Sequence, residues 1–156
     1  MPDAGQLAAI RVRAGARRQY LPQARKLAKR LHAFGAALGL AGAEVSLELV
    51  GEWAMRRLNL AARGKDRPTD VLSFPAARVP GSPLLGDLVI CLPVAKRWAA
   101  RLGRPLSEEL ALYAAHGLLH LLGYRHRTTA ERREMEAIER KLLGENGLIG
   151  RSLSRR

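Results

Sequence analysis

Three of the chain's four histidines fall within the eleven residues HGLLHLLGYRH, His116 to His126. Their offsets are four and then six. Four residues is about one helical turn, so on a helix His116 and His120 point from the same face. That is the spacing by which a helix gives two imidazoles to one metal. Gly123 can stop the helix and let the chain turn back, so that His126 arrives as a third ligand from outside it. Three neutral nitrogens and an open position suit a catalytic zinc, which can lower the pKa of a bound water to about 7. The alternative is three satisfied core histidines. Burying three imidazoles without partners on an apolar helix is costly, and the metal reading is preferred. His32 stands alone and reads as ordinary surface.

The pattern H-x-x-x-H-x-x-G-x-x-H is the long metzincin protease signature with one change. Those proteases carry a glutamate base directly after the first histidine, and this chain has Gly117. Water activation cannot follow the protease scheme, and a peptidase is the weaker reading. Among the carboxylates between Trp53 and Ser107, Asp66 sits in a loop expected to be mobile. Asp70 and Asp87 lie at or near the edges of apolar strands. Either could orient an imidazole by hydrogen bonding, although capping a turn is the simpler role for both. Arg63 precedes a core strand in a loop, where a guanidinium could hold a phosphate bidentately.

The charge balance names the partner class. Twenty-seven Lys and Arg face 14 Asp and Glu, a formal net charge of +13. Such a surplus suits a polyanion, nucleic acid first and an anionic membrane surface second. Arg25, Lys26, Lys29 and Arg30 form a basic face with no acidic residue between Asp3 and Glu44, and we read it as RNA-facing. The two Phe, two Trp and three Tyr make no stacking pattern of the RRM kind. RNA would be held through phosphates, with steep salt dependence. Cys91 is the single cysteine, which excludes an intramolecular disulfide and suits a reducing cytoplasm. It reads as a small buried hydrophobe. No apolar run reaches the ~20 residues that span a bilayer, and the N-terminus lacks a signal-peptide layout. A cytoplasmic location is expected, with no membrane association and no small-molecule cofactor.

The elements that must position these residues follow from periodicity. Alternation predicts strands at 7–13 and 44–50, β-branched and aromatic residues one at 69–75, and a nearly all-apolar run a buried one at 87–92. Helices are expected from about Leu21 to Gly39, Glu52 to Ala62 and Val94 to Gly103. A fourth, apolar nearly all round and so central, runs from an N-cap at Ser107 to about Leu122. A fifth opens at the capping-box pattern Thr128-Thr129-Ala130-Glu131 and runs to about Leu143 with a solvated outer face. Residues 63–68 and 79–86 read as loops. The expected fold is α+β: one domain over residues 1–150, a mixed sheet of about four strands with about five helices, and the metal site on a central helix. Residues 151–156 read as a basic, disordered tail.

The stretch HGLLHLLGYRH resembles the signature H-G-x-L-H-L-x-G-Y-D-H of the YbeY family, bacterial rRNA-maturation endoribonucleases. NLAARGKDRPTDVLSFP (59–75) and LLGDLVIC (84–91) are similar to two further hallmarks, and the likeness covers about residues 44 to 145. The resemblance implies a zinc-dependent, single-strand-specific endoribonuclease acting in 16S rRNA 3′-end maturation and ribosome quality control, with the small ribosomal subunit as partner. It implies one zinc held by His116, His120 and His126, and a catalytic role for Arg63 beside His116. Arg63, Lys65, Arg25 and Lys29 are the candidate RNA contacts, and Asp70 and Asp87 the candidates to orient a ligand. Arg125 stands where the family signature has Asp, which alters the surroundings of the third ligand. The competing readings are a metal-stabilised rRNA-binding assembly factor and the less favoured peptidase.

Overall fold

The computed structural model describes residues 11–144. Four strands, β1 (Arg11–Ala16), β2 (Glu44–Val50), β3 (Val71–Pro75) and β4 (Leu84–Cys91), form one mixed sheet in the order β1-β2-β4-β3. β1 pairs parallel with β2, β2 parallel with β4, and β3 antiparallel with β4. Helix α1 (Leu21–Ala37) crosses over between β1 and β2, and α2 (Glu52–Arg63) leads from β2 towards β3. Helices α3 (Leu92–Leu102), α4 (Leu106–Leu121) and α5 (Thr129–Leu143) follow the sheet. The α+β class, the four strands, the five helices and their order are as expected. The expected start of the first strand and the C-terminal tail fall outside the described residues. No described helix is long and apolar enough to cross a membrane.

Alternation along the strands sorts side chains into two cores. Val45, Leu47 and Leu49 of β2 and Leu88 and Ile90 of β4 face α1 and α4 in the main core. Val89 and Cys91 face the other way, into a smaller cluster with Leu72, Met55 and Val94. Cys91 is thus the buried small side chain expected, and burial pushes its thiol pKa up. Helix α4 is buried nearly all round, with Leu110, Leu112, Leu118, Leu119 and Leu121 in the interior. At about 2 kcal/mol for each buried leucine, that helix contributes on the order of 10 kcal/mol, more than the several kcal/mol that burying one ionised group costs.

Boundaries moved where tertiary contacts overrode local signals. Helix α4 starts at Leu106 with Pro105 as its N-cap (φ −60°, ψ 141°), so Ser107 lies inside the helix and does not cap it. Proline has its φ preset and lacks the N–H that a cap need not donate. The acidic first turn is held by partners: Glu108 pairs with Arg30 of α1 at 3.0 Å, and buried Glu109 pairs with Arg104 at 3.4 Å. Strand β4 begins at Leu84, inside the stretch read as a connection, because Leu84 and Gly86 find partners in Glu44 and Pro75. Helix α5 has the expected capping box, with Thr128 Oγ1 accepting from Glu131 N at 3.1 Å. Its solvated face is only half the helix, since Met135, Glu139 and Leu143 form a buried row against the core.

Two glycines allow the close approach of α4 to the sheet. A Cβ at Gly117 would lie 2.8 Å from Leu88 Cδ2 and 3.2 Å from Ser73 Oγ. At Gly86 (φ +143°) it would lie 2.2 Å from the Phe74 carbonyl oxygen and 2.9 Å from Leu121 Cδ2. The clash at Gly86 is with backbone, which cannot rotate away, and the φ value also disfavours any side chain. Gly86→Ala is expected to cost about 3 kcal/mol or more of folding stability, read as a lower midpoint in urea unfolding. A near-wild-type midpoint would show that β3 and β4 can part there at little cost.

Candidate metal centre and cleft

His116 and His120 project from the last two turns of α4, and the chain reverses at Gly123 (φ +98°) to return His126. The three rings meet with centroids 4.6, 5.3 and 5.0 Å apart. One ligating nitrogen from each lies within 4.8 Å of the others. The Nε2 atoms of His116 and His120 are 3.0 Å apart. Two nitrogens bound tetrahedrally to zinc at about 2.05 Å would be about 3.3 Å apart, close to what is seen.

The far sides of the rings explain why the Nε2 atoms are free to ligate. His120 Nδ1 lies 3.0 Å from the Tyr124 carbonyl oxygen, which can only accept, so Nδ1 carries the proton. His116 Nδ1 lies 2.7 Å from Glu139 Oε1. Glu139 is fully buried, and its Oε2 has no hydrogen-bond partner. A buried carboxylate behind an imidazole is the arrangement that raises ligand basicity. Its charge is compensated when a dication sits on the opposite side of His116. On donor chemistry and on charge, the residues present fit a divalent metal such as zinc.

Burial, reinforced by the neighbouring His116, lowers the His120 pKa to about 4, and burial lowers that of His126 as well. Both are therefore neutral and ready to ligate at neutral pH. In the metal-free protein the unfolded chain takes up protons below about 6.5 that folded His120 refuses until about 4. The unfolded state then binds more protons, so stability falls as pH drops through that window. Thermal melts of metal-free protein between pH 7 and pH 4 are expected to show a falling Tm. A flat profile would mean that the imidazoles are solvated in the apo state.

The histidines form one wall of a cleft of about 640 Å³. Arg63, Lys65 and Arg125 contribute cations to it, and Asp70 is the one carboxylate among its lining residues. Arg63 is the last residue of α2, one position before the left-handed Gly64 that turns the chain. The loop expected to be mobile is tied down: Asn59 Nδ2 donates to the Arg67 carbonyl at 2.8 Å, and Arg56 grips Asp66 through two hydrogen bonds of 2.7 and 2.9 Å.

The sequence-derived candidates thus divide. His116, His120, His126, Arg63 and Lys65 come together. Asp70 lines the cleft but spends Oδ1 on the N–H of Val71 at 2.7 Å, the capping role. Asp87 is exposed, on the strand face opposite to Leu88 and α4. Neither makes a hydrogen bond to a site histidine among the described residues, and that work falls to Glu139. Arg25 and Lys29 are exposed on α1 and do not line the cleft. Their neighbours Lys26 and Arg30 sit beside Ser107, about 20 Å along α4 from His120. Arg30 is also partly neutralised by Glu108.

Glu139 and Asn59 were missed, yet each had a signal. Both are polar residues four positions after a methionine, on the buried row of an amphipathic helix: Met55 and Asn59, Met135 and Glu139. Glu139→Gln keeps the shape and removes the charge. It is expected to weaken Zn²⁺ binding about 10- to 100-fold, measured by chelator competition, with the circular dichroism spectrum unchanged. Wild-type affinity would show that the carboxylate only fills space.

With the geometry in hand, the comparisons are direct. A family model described as Endoribonuclease YbeY matches residues 15–147, which include all three histidines, Arg63 and Glu139. The Endoribonuclease YbeY of Anaeromyxobacter sp. (strain Fw109-5) is 52% identical over 131 residues, 83% of this chain and 68% of its own length. That of Myxococcus xanthus (strain DK1622) is 50% identical over 134 residues, and this chain spans just under half of it, 46%. That of Moorella thermoacetica is 49% identical over 129 residues, 76% of this chain and 83% of its own. The solution structure of TM1509 from Thermotoga maritima matches with a TM-score of 0.51 and 26% identity, covering 87% of this chain and 90% of that one. On the matched span and these identities, the chain belongs to the YbeY family of endoribonucleases.

Proposed function

We propose that this protein is a zinc-dependent, single-strand-specific endoribonuclease that acts in 16S rRNA 3′-end maturation and ribosome quality control in the cytoplasm, with the small ribosomal subunit as its partner. The observation that carries this reading is the convergence of three imidazoles on one wall of a cleft that also presents Arg63 and Lys65. His116, His120 and His126 would hold a single zinc, which when bound would supply Lewis acidity and a nucleophile at neutral pH.

The chain's own residues supply the rest. Arg63 offers a planar fork that matches two phosphate oxygens and strengthens its hold as charge builds on the phosphorus. Lys65 adds a point charge on the neighbouring backbone. Glu139 and the Tyr124 carbonyl keep two imidazoles in the tautomer that turns Nε2 inward. Gly117 carries no protease-type base, and a side chain at the position after His116 would press on Leu88 and Ser73 of the sheet. The net charge of +13 supports a polyanionic substrate.

The test is cleavage of an end-labelled RNA that has single-stranded and paired regions, by zinc-loaded protein. Cuts confined to the single strand are expected, absent for His116→Ala and slowed about 100-fold or more for Arg63→Ala. Equal cutting by wild type and His116→Ala would place the nuclease elsewhere. Tight, salt-sensitive binding without cutting would favour a non-catalytic rRNA-binding factor.

A further inference from the structure

Beside the cleft lies a second groove of about 420 Å³, between the 76–83 connection and the C-terminal end of α4. The two share Pro75, His120 and Arg125, so one opens into the other. The groove's lining is mixed: Val79, Leu84 and Leu122 give apolar surface, Arg78, Ser82, His120 and Arg125 give polar surface, and no carboxylate lines it. Val79 and Leu84 are large apolar side chains left 61% and 46% exposed. Its outer wall is held in shape: Ser82 N donates to the Val79 carbonyl at 3.0 Å, Ala76 N to Leu85 at 2.9 Å, and Glu44 N to Pro83 at 2.8 Å. Leu121, packed close to Gly86, forms part of the inner side.

Apolar surface beside a phosphate-binding cleft, rimmed by arginines and free of acidic groups, suits one kind of occupant. A nucleobase has an apolar face and hangs from an anionic backbone. We propose that this groove is a base-binding subsite, which takes the unpaired nucleobase next to the phosphate held at the histidines. The base lies against Val79, Leu84 and Leu122, and Arg125 at the junction of the two cavities holds the phosphate between. The proposal rests on the ribonuclease reading and gives it a structural source of single-strand preference. A paired base has its edge and both faces occupied within the helix, whereas an unpaired one can splay out into the groove.

The test combines protein and RNA changes. Val79→Ser/Leu84→Ser removes exposed apolar surface without adding charge, at positions whose exposure spares the fold. Stopped-flow anisotropy with zinc-loaded protein reads the affinity for a labelled single strand before it is cut, and steady-state cleavage gives KM and kcat. The variant is expected to bind the single strand about tenfold more weakly, with KM raised, kcat nearly unchanged and duplex affinity unaltered. In wild type, an abasic residue at one position beside the cut is expected to cause the same loss, and the variant should lose nothing further on that RNA. Wild-type affinity for the variant, or equal losses on single strand and duplex, would overturn the subsite while leaving the nuclease intact. If wild-type protein neither binds nor cuts the single strand, the ribonuclease reading itself fails and the subsite fails with it.

Discussion

A buried carboxylate on a buried imidazole, Glu139 on His116 at 2.7 Å, is the contact on which the site depends. It joins α5 to α4 across the interior, and α5 can lie there only because Met135 and Leu143 flank Glu139 with apolar contact. The charge is costly to bury and is tolerated because the surrounding core supplies more than it takes. What it gives in return is a fixed tautomer and a fixed ring plane. The Tyr124 carbonyl does the same for His120 without a charge, using a backbone group left free where the helix ends. The two ligands on the helix are thus held from behind, which frees their inward faces.

The second constraint is the closeness of α4 to the sheet. Gly117 lets the helix backbone settle against Leu88, Ser73 and Val71, and the Ser73 hydroxyl donates to its carbonyl at 3.2 Å. That contact decides where the helix faces point. His116 and His120 look out into the cleft, and the position between His116 and the next turn looks into the sheet. The residue next to the first histidine, Gly117, carries no side chain, and the cations nearest the histidines come from the far wall. That wall is Arg63, set by the left-handed turn at Gly64 and by Asn59 gripping the following loop.

Charge and shape then divide the work. Arg63, Lys65 and Arg125 gather on the cleft, while the neighbouring groove combines the exposed apolar side chains Val79 and Leu84 with Arg78 and Arg125. The basic side of the first helix lies beside Ser107, roughly 14 and 20 Å along α4 from His116 and His120, and its charge is partly spent on Glu108. The surplus charge is thus spread over more than one surface.

The sequence by itself determined the element order, the α+β class and the clustering of three histidines, and it singled out Arg63, although as a loop residue rather than the last residue of α2. These rest on local rules: the 3.6-residue period, the alternation of strands, the stop at Gly123, and motifs a few residues long. Element ends were less legible, as at Pro105 and Leu84, because pairing and capping partners come from distant parts of the chain. Only the tertiary structure decided which carboxylate stands behind the histidines. Asp70 and Asp87 were the candidates read from the sequence, but one caps its own strand and the other faces away. Glu139 lies 23 residues from His116, and its role arises only when α5 packs on α4. A hydrogen bond between helices depends on how they dock, and docking is set by the summed burial of many side chains rather than by any local pattern.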